Sequence, residues 1–196
     1  MVVTPRRVVE REDGRSGSRR ALRARADSRR GRRGRPVLQQ PVLGAVNVGI
    51  VGDIAEAARL YRTLMKSDPT DASAPFNLGN MLRADGRNVE AEAALRTATR
   101  VDPKFSDAWY NLSDLLDEQG RTEAAIECLR TTLRVAPDYA DAMFNLALLL
   151  QRTNRYAEAA DCWRRYLATD CQSEWAKRAR RSLKFCEMQI NLTASA

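Results

Sequence analysis

Three stretches of this chain recur at one interval: APFNLGNMLRADGR at residues 74–87, AWYNLSDLLDEQGR at 108–121 and AMFNLALLLQRTNR at 142–155. A fixed period of 34 residues constrains the fold more than any single motif does. Each period has room for two short helices and their turns, but too little apolar surface to hold them together alone. Neighbouring units must therefore stack, each burying the face that the next leaves open.

Setting Ala72, Ser106 and Ala140 as first positions aligns the three units without a gap. The seventh position reads Leu78, Leu112, Leu146, and the eleventh Leu82, Leu116, Leu150. With Pro75, Trp109 and Met143 at the fourth, they recur at helical spacing and predict one buried stripe. The eighth position is small (Gly79, Ser113, Ala147), as is the twentieth (Ala91, Ala125, Ala159), so two helices can approach closely. The fifteenth is Gly86, Gly120, Asn154, residue types that tolerate positive φ and end a helix. Pro103 and Pro137 close the second helices, with Cys171 in the third unit. This pattern resembles the tetratricopeptide repeat: an aromatic, Leu and a small residue in a first helix, then Ala, an aromatic, Ala and Pro. The resemblance covers residues 72–173. Cys171 for Pro, Pro75 for Trp, and Thr132 and Tyr166 for Ala depart from it.

The resemblance implies an all-α, right-handed superhelical solenoid of antiparallel helix pairs. Full repeats fall at 72–105, 106–139 and 140–173. Residues 52–70 match a second helix alone, so the first repeat is partial. Its first helix would need residues 38–51, where Pro41, Gly44 and Gly49 oppose a helix at about 1 kcal/mol for each interior Gly. At the other end Trp175, Ala179, Leu183, Cys186 and Ile190 form one stripe opposed by Lys177, Arg178, Arg180, Arg181 and Lys184. This predicts a solvating helix over 174–190 that caps the stack.

Charge divides the chain. Residues 1–50 hold 13 Arg against 4 acidic residues, whereas 51–172 hold 15 Lys and Arg against 19 Asp and Glu. The Arg-rich stretch is poor in large apolar residues and is expected to be a disordered tail with affinity for nucleic acid through phosphate contacts. The apolar run at 41–51 is too short to span a bilayer, so no membrane role is expected. Cys128, Cys162, Cys171 and Cys186 contain no C-x-x-C pair and read as reduced thiols of a cytoplasmic protein.

Nothing in the chain reads as an enzyme. It has no histidine, which removes the commonest general base, and no phosphate-binding Gly loop. No catalytic residue, metal site or cofactor is expected. The function implied by the resemblance is protein binding on the concave face of the first helices. The resemblance places there Phe76, Tyr110 and Phe144 at the fifth position, Asn77, Asn111 and Asn145 at the sixth, and Asn80, Asp107, Asp114, Asp117 and Asp141 beside them. The Asn column resembles ladders by which some members of the family hold an extended peptide. The carboxylates predict a basic partner. The family's clamp for acidic C-termini needs Lys and Arg where this chain has Phe76, Asp141 and Asn145, which excludes that guest. If the Asn column serves binding alone, Asn111→Ala should leave stability nearly unchanged.

Overall fold

The computed structural model describes residues 54–194. The Arg-rich tail and residues 38–51, with the expectations attached to them, lie outside the described residues. Among those described, the chain forms α1 (Ile54–Ser67), α2 (Ser73–Ala84), α3 (Asn88–Val101), α4 (Ser106–Glu118), α5 (Thr122–Val135), α6 (Ala140–Arg152), α7 (Tyr156–Thr169) and α8 (Glu174–Ala194), without a strand. Three hairpins, α2–α3, α4–α5 and α6–α7, stack in chain order between α1 and α8.

The same device turns each hairpin. Gly86, Gly120 and Asn154 have φ of 77°, 74° and 60°. The next residue reaches back to a leucine carbonyl of the first helix: Arg87 N–H to Leu82 at 2.9 Å, Arg121 to Leu116 at 2.9 Å, Arg155 to Leu150 at 2.8 Å. This is the left-handed helix cap that the residue types at the fifteenth position foretold.

The leucines at the seventh and eleventh positions are buried in every hairpin. Small residues at the eighth are required by close contact: a Cβ on Gly79 would stand 2.7 Å from Leu95 Cγ and 3.2 Å from the Ala91 carbonyl oxygen. The departures from the repeat pattern are accommodated locally. Thr132 is buried with its hydroxyl donating to the Cys128 carbonyl at 3.0 Å. Tyr166 packs edge-on against Phe144, and its hydroxyl donates to Asp170. Asp170 also accepts the Ser173 backbone N–H at 3.1 Å, which turns the chain where the other repeats use Pro. Helix α8 buries Ala176, Ala179 and Cys186 against the stack and keeps its basic residues exposed, as a terminal cap must.

Candidate binding groove

Bonds from Asn111 to Asn80 and from Asn145 to Asp114 set helices α2, α4 and α6 side by side, with their sixth and ninth positions in contact. The aromatic column does not reach the free surface. Phe76, Tyr110 and Phe144 are 4%, 1% and 2% exposed. The ring at the end of the same repeat covers the first two: Phe105 lies 4.7 Å from Phe76, and Tyr139 stacks on Tyr110 at 5.2 Å. Trp163, Tyr166 and Trp175 surround Phe144. The expectation that these three rings would face a guest is therefore corrected. They form the floor beneath the groove, because a flat ring at the fifth position fills the space between successive hairpins.

The amide column is half-buried and couples the repeats. Asn111 donates from Nδ2 to Oδ1 of Asn80 at 2.7 Å. One repeat further on, Asn145 donates from Nδ2 to the Tyr110 hydroxyl at 3.0 Å and to Asp114 at 3.3 Å. The sixth position of each repeat thus bonds the ninth of the one before. Both amides commit their donor side to the stack. Their Oδ1 atoms accept no hydrogen bond among the described residues. Asn77 is half-buried and has no such partner among the described residues. Asn80 Nδ2 is sealed from solvent and donates to none of them.

The carboxylates divide by partner. Arg83 pairs with Glu118 at 2.5 Å and approaches Asp114 at 3.9 Å, and Arg152 pairs with Asp117. The twelfth position of one repeat thus meets the thirteenth of the next, with the charges exchanged between the two steps. Asp107 accepts the Tyr139 hydroxyl at 2.8 Å, and neither it nor Asp141 has a cationic partner among the described residues. Five carboxylates face two guanidiniums, so the middle of the groove keeps net negative charge. Burial, reinforced by Glu118 and Asp117 against the opposing pull of Arg83, pushes the Asp114 carboxyl up to about 7. Burial alone brings Asp141 to about 6. Asp114 and Asp141 act on the Tyr110 hydroxyl, and Asp107 and Asp141 on that of Tyr139; with burial, they raise both well above the ordinary phenol value. The three carboxylates therefore surround one stacked tyrosine pair. Beyond it Arg178 stands over the rings of Phe144 and Trp175, making that end of the face basic.

One column escaped the reading of the sequence. Arg62, Arg96, Arg130 and Arg164 occupy the twenty-fifth position at the 34-residue interval. On the second helices they pair with Glu90 (3.0 Å), Glu92 (2.9 Å), Glu158 (2.6 Å) and Glu187 (2.8 Å) respectively. Exposed pairs of this kind each contribute about 0–1 kcal/mol. They tie successive second helices, α7 to α8, or successive turns of one helix, while Arg100, Arg134 and Arg165 on the same helices reach only hydroxyl or carbonyl oxygens. Cys128 and Cys162 are buried on the second helices, and burial pushes their thiols up to about 11, so they are poor nucleophiles at neutral pH.

The sequence pattern of the tetratricopeptide repeat family matches residues 51–104, 90–127 and 110–173. No curated protein matches the chain. Among solved structures, one titled as MamA protein is 22% identical over 76% of this chain and 79% of its own, with a TM-score of 0.63. A second MamA structure is 19% identical over 76% of this chain and 95% of its own, at a TM-score of 0.58. A tetratricopeptide repeat protein from Parabacteroides merdae ATCC 43184 is 22% identical over 74% of this chain and 58% of its own, at 0.65. At these identities the likeness is one of fold. Among the described residues no helix is long and apolar enough to cross a membrane.

Proposed function

The chain belongs to the tetratricopeptide repeat family of protein–protein interaction modules, and we propose that it holds an extended, basic segment of a partner protein on the face of α2, α4 and α6. One observation carries this reading: Asp107 and Asp141, beside the Tyr110–Tyr139 stack, lack a cationic partner among the described residues. A guest Lys or Arg supplies the missing cation, and its backbone N–H groups meet the open Oδ1 atoms of Asn111 and Asn145. The contribution of charge here is to partner choice and association rate more than to raw affinity. This reading asks no step of chemistry of the site.

A second reading rests on the 13 Arg of residues 1–50, which would contact phosphate while the repeats recruit a partner. An array of extended peptides graded from acidic to basic, probed with the full chain, separates the two. Groove binding predicts retention of the basic peptides and little retention of the acidic ones. Preference for acidic peptides, or for single-stranded nucleic acid with a steep salt dependence, would place binding on the Arg-rich segment instead.

A further inference from the structure

The second helices carry two kinds of cation. At the twenty-fifth position each arginine pairs with a glutamate, and Arg59 of α1 pairs with Glu56. The remaining cations of these helices, Lys66, Arg100, Arg134 and Arg165, are exposed and pair with no carboxylate among the described residues. Arg100 and Arg134 each give one N–H to the threonine a turn earlier, Thr97 at 3.1 Å and Thr131 at 2.7 Å. Arg165 reaches the Pro137 carbonyl, just past the end of α5, at 3.3 Å. The ion pairs Arg62–Glu90, Arg121–Glu92 and Arg130–Glu158 hold α1, α3, α5 and α7 in order on this face. The four cations therefore form one row, with one from each helix.

We propose that this row holds the phosphate backbone of a single-stranded nucleic acid without reading its bases. A helix C-terminus favours a cation. That accounts for Lys66, Arg100 and Arg134 at the twenty-ninth position, but not for Arg165, a turn further in. The nearest carboxylates along the chain, Asp68 and Asp102, accept the backbone N–H two residues on, at 3.0 Å and 2.8 Å, and so turn the chain rather than pair with the row. Each guanidinium keeps most of its N–H groups free for the oxygens of an anion. A protein partner would need an apolar centre to its interface. On these helices the exposed large apolar side chains are Leu60 and Leu64 of α1, at one end of the row, and Val89, at the far end of α3 from Arg100; α5 and α7 have none. Contacts from cations to phosphate need no such centre and carry no sequence information. A flexible strand can follow cations presented one per helix. This surface is not the groove, and the inference stands whatever the groove binds.

The test measures binding of the full chain to single-stranded oligo(dT) across a salt series, for the parent and for the Lys66→Gln/Arg100→Gln/Arg134→Gln/Arg165→Gln variant. Residues 1–50 are the same in both, so their contribution cancels in the comparison. Loss of the row's phosphate contacts makes the slope of log affinity against log salt shallower by about 3. An unchanged slope would leave all binding to residues 1–50 and overturn the proposal. A control replaces Arg62, Arg96, Arg130 and Arg164 by Gln instead. A loss as large there would mean that total charge, not the row, sets affinity, which also overturns it. Poly-glutamate is the second probe: a variant that loses this polymer but keeps its slope for oligo(dT) would assign the row to an acidic protein segment and contradict the proposal. Arg134→Gln alone gives up only the bond to Thr131 and reads the same contact at a slope change of about 0.7, should the fourfold variant fail to fold.

Discussion

Asn111 gives its side-chain amide to Asn80 of the preceding repeat, 2.7 Å away, so a residue of the first-helix face is also a tie between repeats. The expectation that Asn111→Ala would leave stability unchanged is thereby revised. The substitution should cost about 1 kcal/mol, the net contribution of one side-chain hydrogen bond. Asn77→Ala, whose amide has no bond among the described residues, should stay within about 0.5 kcal/mol of the parent. Urea unfolding of both variants checks the difference.

Close packing of the first hairpin makes Gly79 intolerant of a methyl group. Glycine to alanine within a helix would ordinarily gain about 1 kcal/mol. Here the new Cβ meets Leu95 at its branch point and a backbone carbonyl, neither of which yields easily. Overpacking of about 1–3 kcal/mol wins, and Gly79→Ala should unfold at lower denaturant than the parent.

Leu112 is fully buried at the centre of the stack, between hairpins on both sides. Leu112→Ala should therefore cost about 2–5 kcal/mol. The same truncation at the exposed Leu192, near the end of α8, should change stability by less than about 0.5 kcal/mol. Paired thermal melts read both.

The Asp114 carboxyl gives stability a definite pH dependence. Its value is raised from 3.8 to about 7, chiefly by burial, so the native state holds the proton more tightly than the unfolded chain. The stabilisation is full below about pH 4 and is lost as pH rises through about 7. Asp141, raised to about 6, acts in the same sense. Stability should fall between pH 5 and pH 8. Asp114→Asn should flatten that slope, recovering about 1–3 kcal/mol at pH 8. A slope unchanged in the variant would place the dependence on other groups.

Much of the fold can be read from the period, because helix faces follow spacing along one chain. Gly86, Gly120 and Asn154 announce the turns, and the columns headed by Leu78 and Leu82 announce the buried stripe. The first-helix face is less legible. Its contacts join residues 31 or 35 apart, as in Asn80 to Asn111 and Arg83 to Glu118, not the 34 of the repeat. That offset comes from the stagger of one hairpin on the next, which columns at a fixed period do not show. Tyr110 illustrates the result. Spacing places it on the groove face, yet Tyr139, at the last position of the same repeat, lies over it and removes it from the surface. The arginine column at 62, 96, 130 and 164 was visible in the sequence, but its meaning depends on the glutamates that packing sets opposite it.

The central claim is that unpaired carboxylates on the first-helix face select a basic guest. Its most direct measurement is the affinity of the full chain for the best-retained basic peptide, compared with that of the Asp107→Asn/Asp141→Asn variant at equal salt. These substitutions keep the side-chain shape and remove only charge. The account predicts binding weaker by at least about tenfold, or roughly 1.4 kcal/mol, with Tm within a few degrees of the parent. Equal affinity in the two proteins would contradict it and move recognition away from this face.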